Sequence, residues 1–146
     1  MKIKPEVFLS SNKNIIFNKI LVTGSDEPFI SYVKNFIVKE FQRRGFFIDF
    51  SNNYNDGSIG NLFSEKKTLF VLSDFPANKE INHQVLGDKS ILVASPNGKK
   101  TNLIKTKLLK DKESLVVECY SLNRSSKENT LKNYIEKNNL TLSNDV

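Results

Sequence analysis

The 146-residue sequence predicts an α/β domain with a five-stranded, mainly parallel sheet and helices on both faces. Three observations carry that prediction. Short runs rich in β-branched and aliphatic residues recur five times along the chain, and stretches with helical apolar spacing separate most of them. The run TLFVL at 68–72 is continuously apolar rather than alternating, which suits a strand buried on both faces.

The elements follow in order. Lys19 to Thr23 is the first clear strand. A helix follows over about Pro28 to Gln42, with Phe29, Tyr32, Val33, Phe36, Ile37 and Phe41 on one stripe. Arg43-Arg44-Gly45 closes it, placing cations in the last turn and a glycine beyond them. Phe46 to Phe50 is the second strand, followed by the Asn-, Asp- and Gly-rich loop SNNYNDGSIGN. Thr68 to Leu72 is the third strand, and a helix is expected near Lys79 to Leu86. Ser90 to Ala94 is the fourth strand, Asn102 to Lys110 a helix, and Leu115 to Cys119 the fifth strand. A last helix spans Lys127 to Asn138, with Leu131, Tyr134 and Ile135 on one face. In sheets of this kind ligands sit outside the carboxyl ends of the strands, which points to Gly24 and to the loop after Ala94.

Composition narrows the class. Apolar content is 38% with 10% aromatic, enough for a packed core and too much for a disordered chain. No apolar stretch approaches membrane-spanning length, and MKIKPEVFLSSNKN has neither an apolar h-region nor a small-residue cleavage site. The single cysteine, Cys119, excludes an internal disulfide framework and a cysteine-rich zinc site, so a reduced, cytoplasmic setting is expected. The net charge of +6 raises a nucleic-acid reading. Yet arginine occurs only at 43, 44 and 124, and the lysines are spread along the chain, in keeping with a solvated surface and at most a weak DNA-facing bias.

Two segments invite comparison with a phosphate loop, which needs G-x-x-x-x-G-K followed by a hydroxyl residue between a strand and a helix. The first is Gly24-Ser25-Asp26-Glu27-Pro28-Phe29-Ile30-Ser31. Phe29 stands at the second glycine and Ile30 at the lysine. Asp26 and Glu27 place negative charge where a phosphate would lie, and Pro28 removes a donor amide. The same residues suit a helix start: Ser25 or Asp26 as cap, acidic side chains at the positive end of the dipole, proline in the first turn. The second segment, Ser95-Pro96-Asn97-Gly98-Lys99-Lys100-Thr101, has a Gly-Lys pair but Lys100 at the hydroxyl position and Val93 at the earlier glycine. His83, the one histidine, sits in a polar stretch with no metal or nucleophile partner, and Cys119 reads as a small core residue. No pair of carboxylates stands out as acid and base.

The order of motifs resembles the N-terminal domain of the bacterial DNA polymerase III delta subunit, the clamp-loader subunit that opens the sliding clamp. That family begins with a short strand and helix. An apolar strand then runs into a glycine, acidic residues, proline and two apolar residues, seen here as Gly24-Ser25-Asp26-Glu27-Pro28-Phe29-Ile30 with one extra residue. A Leu-Phe pair before a basic residue and an apolar strand matches Asn61-Leu62-Phe63-Ser64-Glu65-Lys66-Lys67-Thr68-Leu69-Phe70-Val71-Leu72. A lysine-containing segment follows the fourth strand (Lys99 to Leu109), and the ending runs through Cys119-Tyr120-Ser121-Leu122 and Leu131-Lys132-Asn133-Tyr134-Ile135.

The resemblance implies a RecA-like (AAA+-type) three-layer fold without a functional phosphate loop. It implies a domain over 1–140, with 141–146 starting the linker to a lid domain that family members carry. It implies no catalysis and no cofactor in this domain, ATP being handled by other subunits of the polymerase holoenzyme's clamp loader. Partners would be the beta sliding clamp and the other clamp-loader subunits, with DNA contacted weakly or indirectly, and no membrane. Leu62 and Phe63 would insert into a hydrophobic pocket of the clamp, with Ile59 flanking them. They follow a polar Gly/Asn-rich loop and precede Ser64-Glu65-Lys66-Lys67, a setting that suits an exposed apolar anchor. The rival readings are a small basic nucleic-acid-binding module and a degenerate phosphate-loop NTPase.

Overall fold

The computed structural model describes residues 1–10, 17–50, 67–74, 89–121 and 123–141. Within them the order is β1 (Lys2–Ile3), α1 (Pro5–Ser10), β2 (Lys19–Gly24), α2 (Glu27–Arg43), β3 (Phe47–Asp49), β4 (Thr68–Leu72), β5 (Lys89–Ala94), α3 (Lys99–Leu109), β6 (Ser114–Cys119) and α4 (Arg124–Lys137). One six-stranded sheet runs β1-β6-β2-β5-β4-β3, with every pairing parallel. The expectation of five strands in a mainly parallel sheet is thus corrected to six, all parallel. The added strand is β1, whose two residues are too short to register as an apolar run. The expected helix at 79–86 lies outside the described residues.

Burial explains the arrangement. All six residues of β2 and all six of β6 are buried, so KILVTG and SLVVEC form the interior of the sheet. Alternate side chains serve opposite faces. Ile20, Val22, Leu69, Val71, Leu92, Leu115, Val117 and Cys119 pack towards α1 and α2, against Phe8, Ile30, Val33, Ile37 and Phe41. Leu21, Leu72, Ile91, Val93 and Val116 pack towards α3, against Leu108 and Ile104. Helices therefore cover both faces, a layout compatible with a RecA-like or Rossmann-like domain.

The long helix α2 is fixed at both ends. Asp26 caps it, its carboxylate accepting from the Phe29 amide at 3.1 Å. At the other end Gly45 turns left-handed at φ +83°, the Gly45 amide donates to the Gln42 carbonyl and the Phe46 amide to the Phe41 carbonyl. This is a Schellman closure, sealed by an edge-on Phe41–Phe46 contact at 4.8 Å. The core stripe is Ile30, Val33, Ile37, Val38 and Phe41, rotated from the one expected. Phe29 and Phe36 are only partly buried, and Tyr32 is exposed and meets Tyr134 of α4. The reason is that α2 faces two neighbours, the sheet on one side and the α1–α4 pair on its flank.

Lys19 opens β2 with no solvent exposure at all, and its ammonium pairs with Asp111 at 2.8 Å. Asp111 also accepts from the Ser114 hydroxyl at 2.7 Å and the Glu113 amide at 3.0 Å. Burial pushes this carboxyl up, but those three donors and the lysine charge outweigh it and hold it well below the usual carboxylate range. The pair ties the amino end of the central strand to the turn before β6.

Candidate functional site

The strand order places β2 between β5 and β6, so the sheet's crevice opens at the carboxyl ends of these three strands. Gly24 closes β2 there, opposite Cys119 of β6. Its φ is +144°, and a Cβ at this position would stand 1.9 Å from the Cys119 carbonyl oxygen. Only glycine fits such a contact.

The Ser25, Asp26, Phe29 and Ile30 amides of the turn that follows are spent inside the fold. The Ser25 and Asp26 amides both donate to the Cys119 carbonyl, at 3.0 and 3.2 Å. The Phe29 amide goes to the Asp26 carboxylate, the Ile30 amide goes to the Asp26 carbonyl, and Pro28 has none to offer. On the other side the Asn97 amide donates to the Gly24 carbonyl at 3.0 Å, and the Thr23 hydroxyl donates to the Asn97 side-chain oxygen at 3.3 Å. Gly24, Ser25, Asp26, Glu27 and Pro28 are thus one unit that ends a strand and caps a helix. Of the two cap candidates, it is Asp26 that caps. The Cys119 thiol behind the turn is buried; burial and the nearby Asp26 and Glu6 charges push it up to about 12.

The second loop is arranged differently from the sequence expectation. α3 begins at Lys99 rather than Asn102, after Gly98, which caps it without a side chain. The missing cap side chain is why the start is hard to read. Lys100 pairs with Asp74 just beyond β4, so it bridges two strand ends. The Thr101 hydroxyl donates back to the Pro96 carbonyl at 3.3 Å.

Nearby, Glu118 of β6 is buried between Lys2 at 2.6 Å and Lys105 at 2.8 Å. Burial raises its carboxyl, yet the two ammonium groups win and its pKa is lowered. Asp74, Glu118 and Asp111 were not singled out by sequence, because each finds its partner across a long stretch of chain and leaves no local pattern.

Ile59, Leu62 and Phe63 lie outside the described residues, as does His83. In the sequence Ile59, Leu62 and Phe63 fall between β3 and β4, whose pairing matches Phe47 with Thr68 and Asp49 with Phe70, and His83 falls between β4 and β5. Among the described residues no group of three or more His, Cys, Asp or Glu side chains is placed to hold a metal ion, and no helix is long and apolar enough to cross a membrane. No protein-family model matches the chain, and no curated protein does either.

Proposed function

We propose that this chain is the clamp-binding domain of a delta-type clamp-loader subunit, a cytoplasmic protein of bacterial DNA replication. One observation carries the reading. At the switch point of a parallel sheet, where a RecA-type NTPase presents free amides to phosphate, the Ser25 and Asp26 amides are both spent on the Cys119 carbonyl. A scaffold of this layout with its phosphate turn closed fits the subunit class that the order of motifs resembles.

In this reading the domain, residues 1–140, acts mechanically. Leu62 and Phe63 serve as an apolar anchor for a pocket on the clamp, with Ile59 beside them. Binding favours whichever clamp conformation offers that pocket better, so differential affinity opens the ring while other subunits hydrolyse ATP. Buried apolar anchors contribute ~2 kcal/mol or more each. The double variant Leu62→Ala/Phe63→Ala is therefore expected to bind the cognate sliding clamp about three orders of magnitude more weakly. Surface plasmon resonance on immobilised clamp measures this, and equal binding by both proteins overturns the site assignment.

A further inference from the structure

We infer that the groove between α2 and α4 is a docking site for an acidic amphipathic helix of another protein. α4 carries Leu131, Tyr134 and Ile135, yet none of its fourteen residues is buried. A helix of a globular domain ordinarily buries its apolar side. Here Leu131 stays 53% and Tyr134 43% exposed, and Tyr32 of α2 is 37% exposed beside them. The Tyr32–Tyr134 and Phe36–Lys137 contacts advance together along the two helices, so α2 and α4 lie side by side and parallel. Between them runs an open groove of about 460 Å³, lined by Phe29 and Tyr32 of α2 and by Lys127, Thr130, Leu131 and Tyr134 of α4.

Four of these six side chains are aromatic or aliphatic. Thr130 turns its hydroxyl back to the Ser126 carbonyl at 2.8 Å and offers the groove no free donor. The wall on α4 is a row at i, i+4 and i+7, formed by Lys127, Leu131 and Tyr134. Two parallel helices with such a row between them accept the apolar ridge of a third helix.

Charge selects the occupant. Lys127 is the one charged side chain of the lining; it is exposed, and among the described residues it forms no ion pair. Its neighbour Glu128 is held by Arg124 at 3.1 Å. A carboxylate on the incoming helix is the complement of Lys127, and a negatively charged partner suits a chain of net charge +6. A second copy would set +6 against +6. An anionic membrane also fits less well, because the exposed apolar side chains line a groove and α4 mixes glutamates with its lysines.

This surface is separate from the residues assigned to the clamp, and its test is independent of them. A displayed library of helical peptides is selected on the whole chain. The enriched sequences are expected to combine apolar residues at i, i+3 or i+4, and i+7 with an excess of Asp and Glu. The strongest of them is synthesised with a fluorescent label and its affinity is measured by anisotropy. Leu131→Asp is expected to weaken binding about thirtyfold, the size of one hot-spot side chain. Lys127→Glu is expected to weaken it roughly fivefold at low salt and less at high salt. Leu103→Asp, at an exposed leucine of α3, and Leu62→Ala/Phe63→Ala are expected to bind as the wild type does. The protein has no tryptophan and four tyrosines, two of them in the groove, so its tyrosine fluorescence is expected to change when the peptide binds. Unchanged melting temperatures separate loss of binding from loss of fold, and Leu131→Ser replaces Leu131→Asp if the latter melts lower. No enrichment, enrichment without the acidic excess, or wild-type affinity in the Leu131 variant overturns the proposal. So does a wild-type dimer in sedimentation that the Leu131 variant dissolves, which would assign the groove to a second copy. Binding to phosphatidylserine-containing vesicles that the same variant abolishes would overturn it in favour of a membrane.

Discussion

At the scale of single residues, two positions decide how the central strand β2 is held at its two ends. Gly24 is the first. A methyl group there meets the Cys119 carbonyl at 1.9 Å, and the backbone is held at φ +144°, so Gly24→Ala combines a backbone clash with a strained conformation. The expected cost is at least about 3 kcal/mol, from strain and overpacking together. Asp26→Ala removes only a cap and is expected to cost about 1 kcal/mol. Urea denaturation of both variants checks the ranking, and a Gly24→Ala protein as stable as Asp26→Ala would contradict the geometry. The second position is Asp111. Its carboxyl is lower in the folded protein than in the unfolded chain, so its contribution is present above about pH 3.9 and is lost as the pH falls further. Asp111→Asn removes the carboxylate charge that faces the buried Lys19 ammonium, at roughly 3 kcal/mol near neutrality. That penalty is expected to shrink when the two proteins are compared at pH 3, and an equal penalty at both pH values would remove the ion pair from the account. Neither residue's partner was legible. The cap at Asp26 follows from Asp-Glu-Pro before an apolar stripe, but the acceptor for its amide is a carbonyl at position 119, and the acid for Lys19 lies at 111. Local pattern gives the donor and not the partner when the two are brought together only by the folded sheet.

At the scale of elements, legibility follows how strongly each one is patterned. α2 reads to within a residue at each end because its stripe, its acidic start and its Arg-Gly end agree. β4 reads over its full length because TLFVL is bounded by polar residues. β1 and α1 were not placed on the sequence, since a two-residue strand and a six-residue helix carry too few positions for a period. α4 shows the opposite case, a helix whose existence is plain but whose expected face packs weakly. None of its fourteen residues is buried, and Leu131 and Tyr134 stay exposed. Its ties are the Lys137 ammonium, which donates to the Leu9 carbonyl at 2.7 Å and lies over the Phe36 ring at 4.8 Å, and the Tyr134–Tyr32 contact. A helix so lightly held opens before the core does. In native-state hydrogen exchange the α4 amides are expected to exchange well ahead of those of α2. Lys137→Ala, removing about 1 kcal/mol of tie, is expected to speed α4 exchange roughly fivefold while leaving α2 unchanged. Equal protection in the two helices would show that α4 belongs to the core's cooperative unit.

At the scale of the whole molecule, the strand order turns a local observation into a functional one. Parallel pairing was legible, because strands separated by helical stretches can hardly pair otherwise. The order β1-β6-β2-β5-β4-β3 was not, since nothing local says which strand lies beside which. That order sets the Gly24 turn between the ends of β5 and β6, where a nucleotide would be held in an active member of such a fold, and where Cys119 and Asn97 instead lace it shut. To admit a phosphate, the Ser25 and Asp26 amides would have to leave the Cys119 carbonyl, and the Asp26 and Glu27 carboxylates would face a polyanion across a few ångströms. The consequence is measurable on the intact chain. A ligand present at a hundred times its dissociation constant stabilises a protein by about 2.7 kcal/mol, worth on the order of 8 °C or more in melting temperature for a domain of this size. Millimolar Mg-ATP is expected to shift the melting temperature by less than about 1 °C. The same result is expected for Asp26→Asn/Glu27→Gln, because removing the charges does not free the two amides. A shift of several degrees in the wild type would mean that the turn opens to nucleotide and that the degenerate-NTPase reading is the better one. A shift confined to the charge-neutral variant would mean that the carboxylates alone, not the hydrogen bonds to Cys119, keep phosphate out.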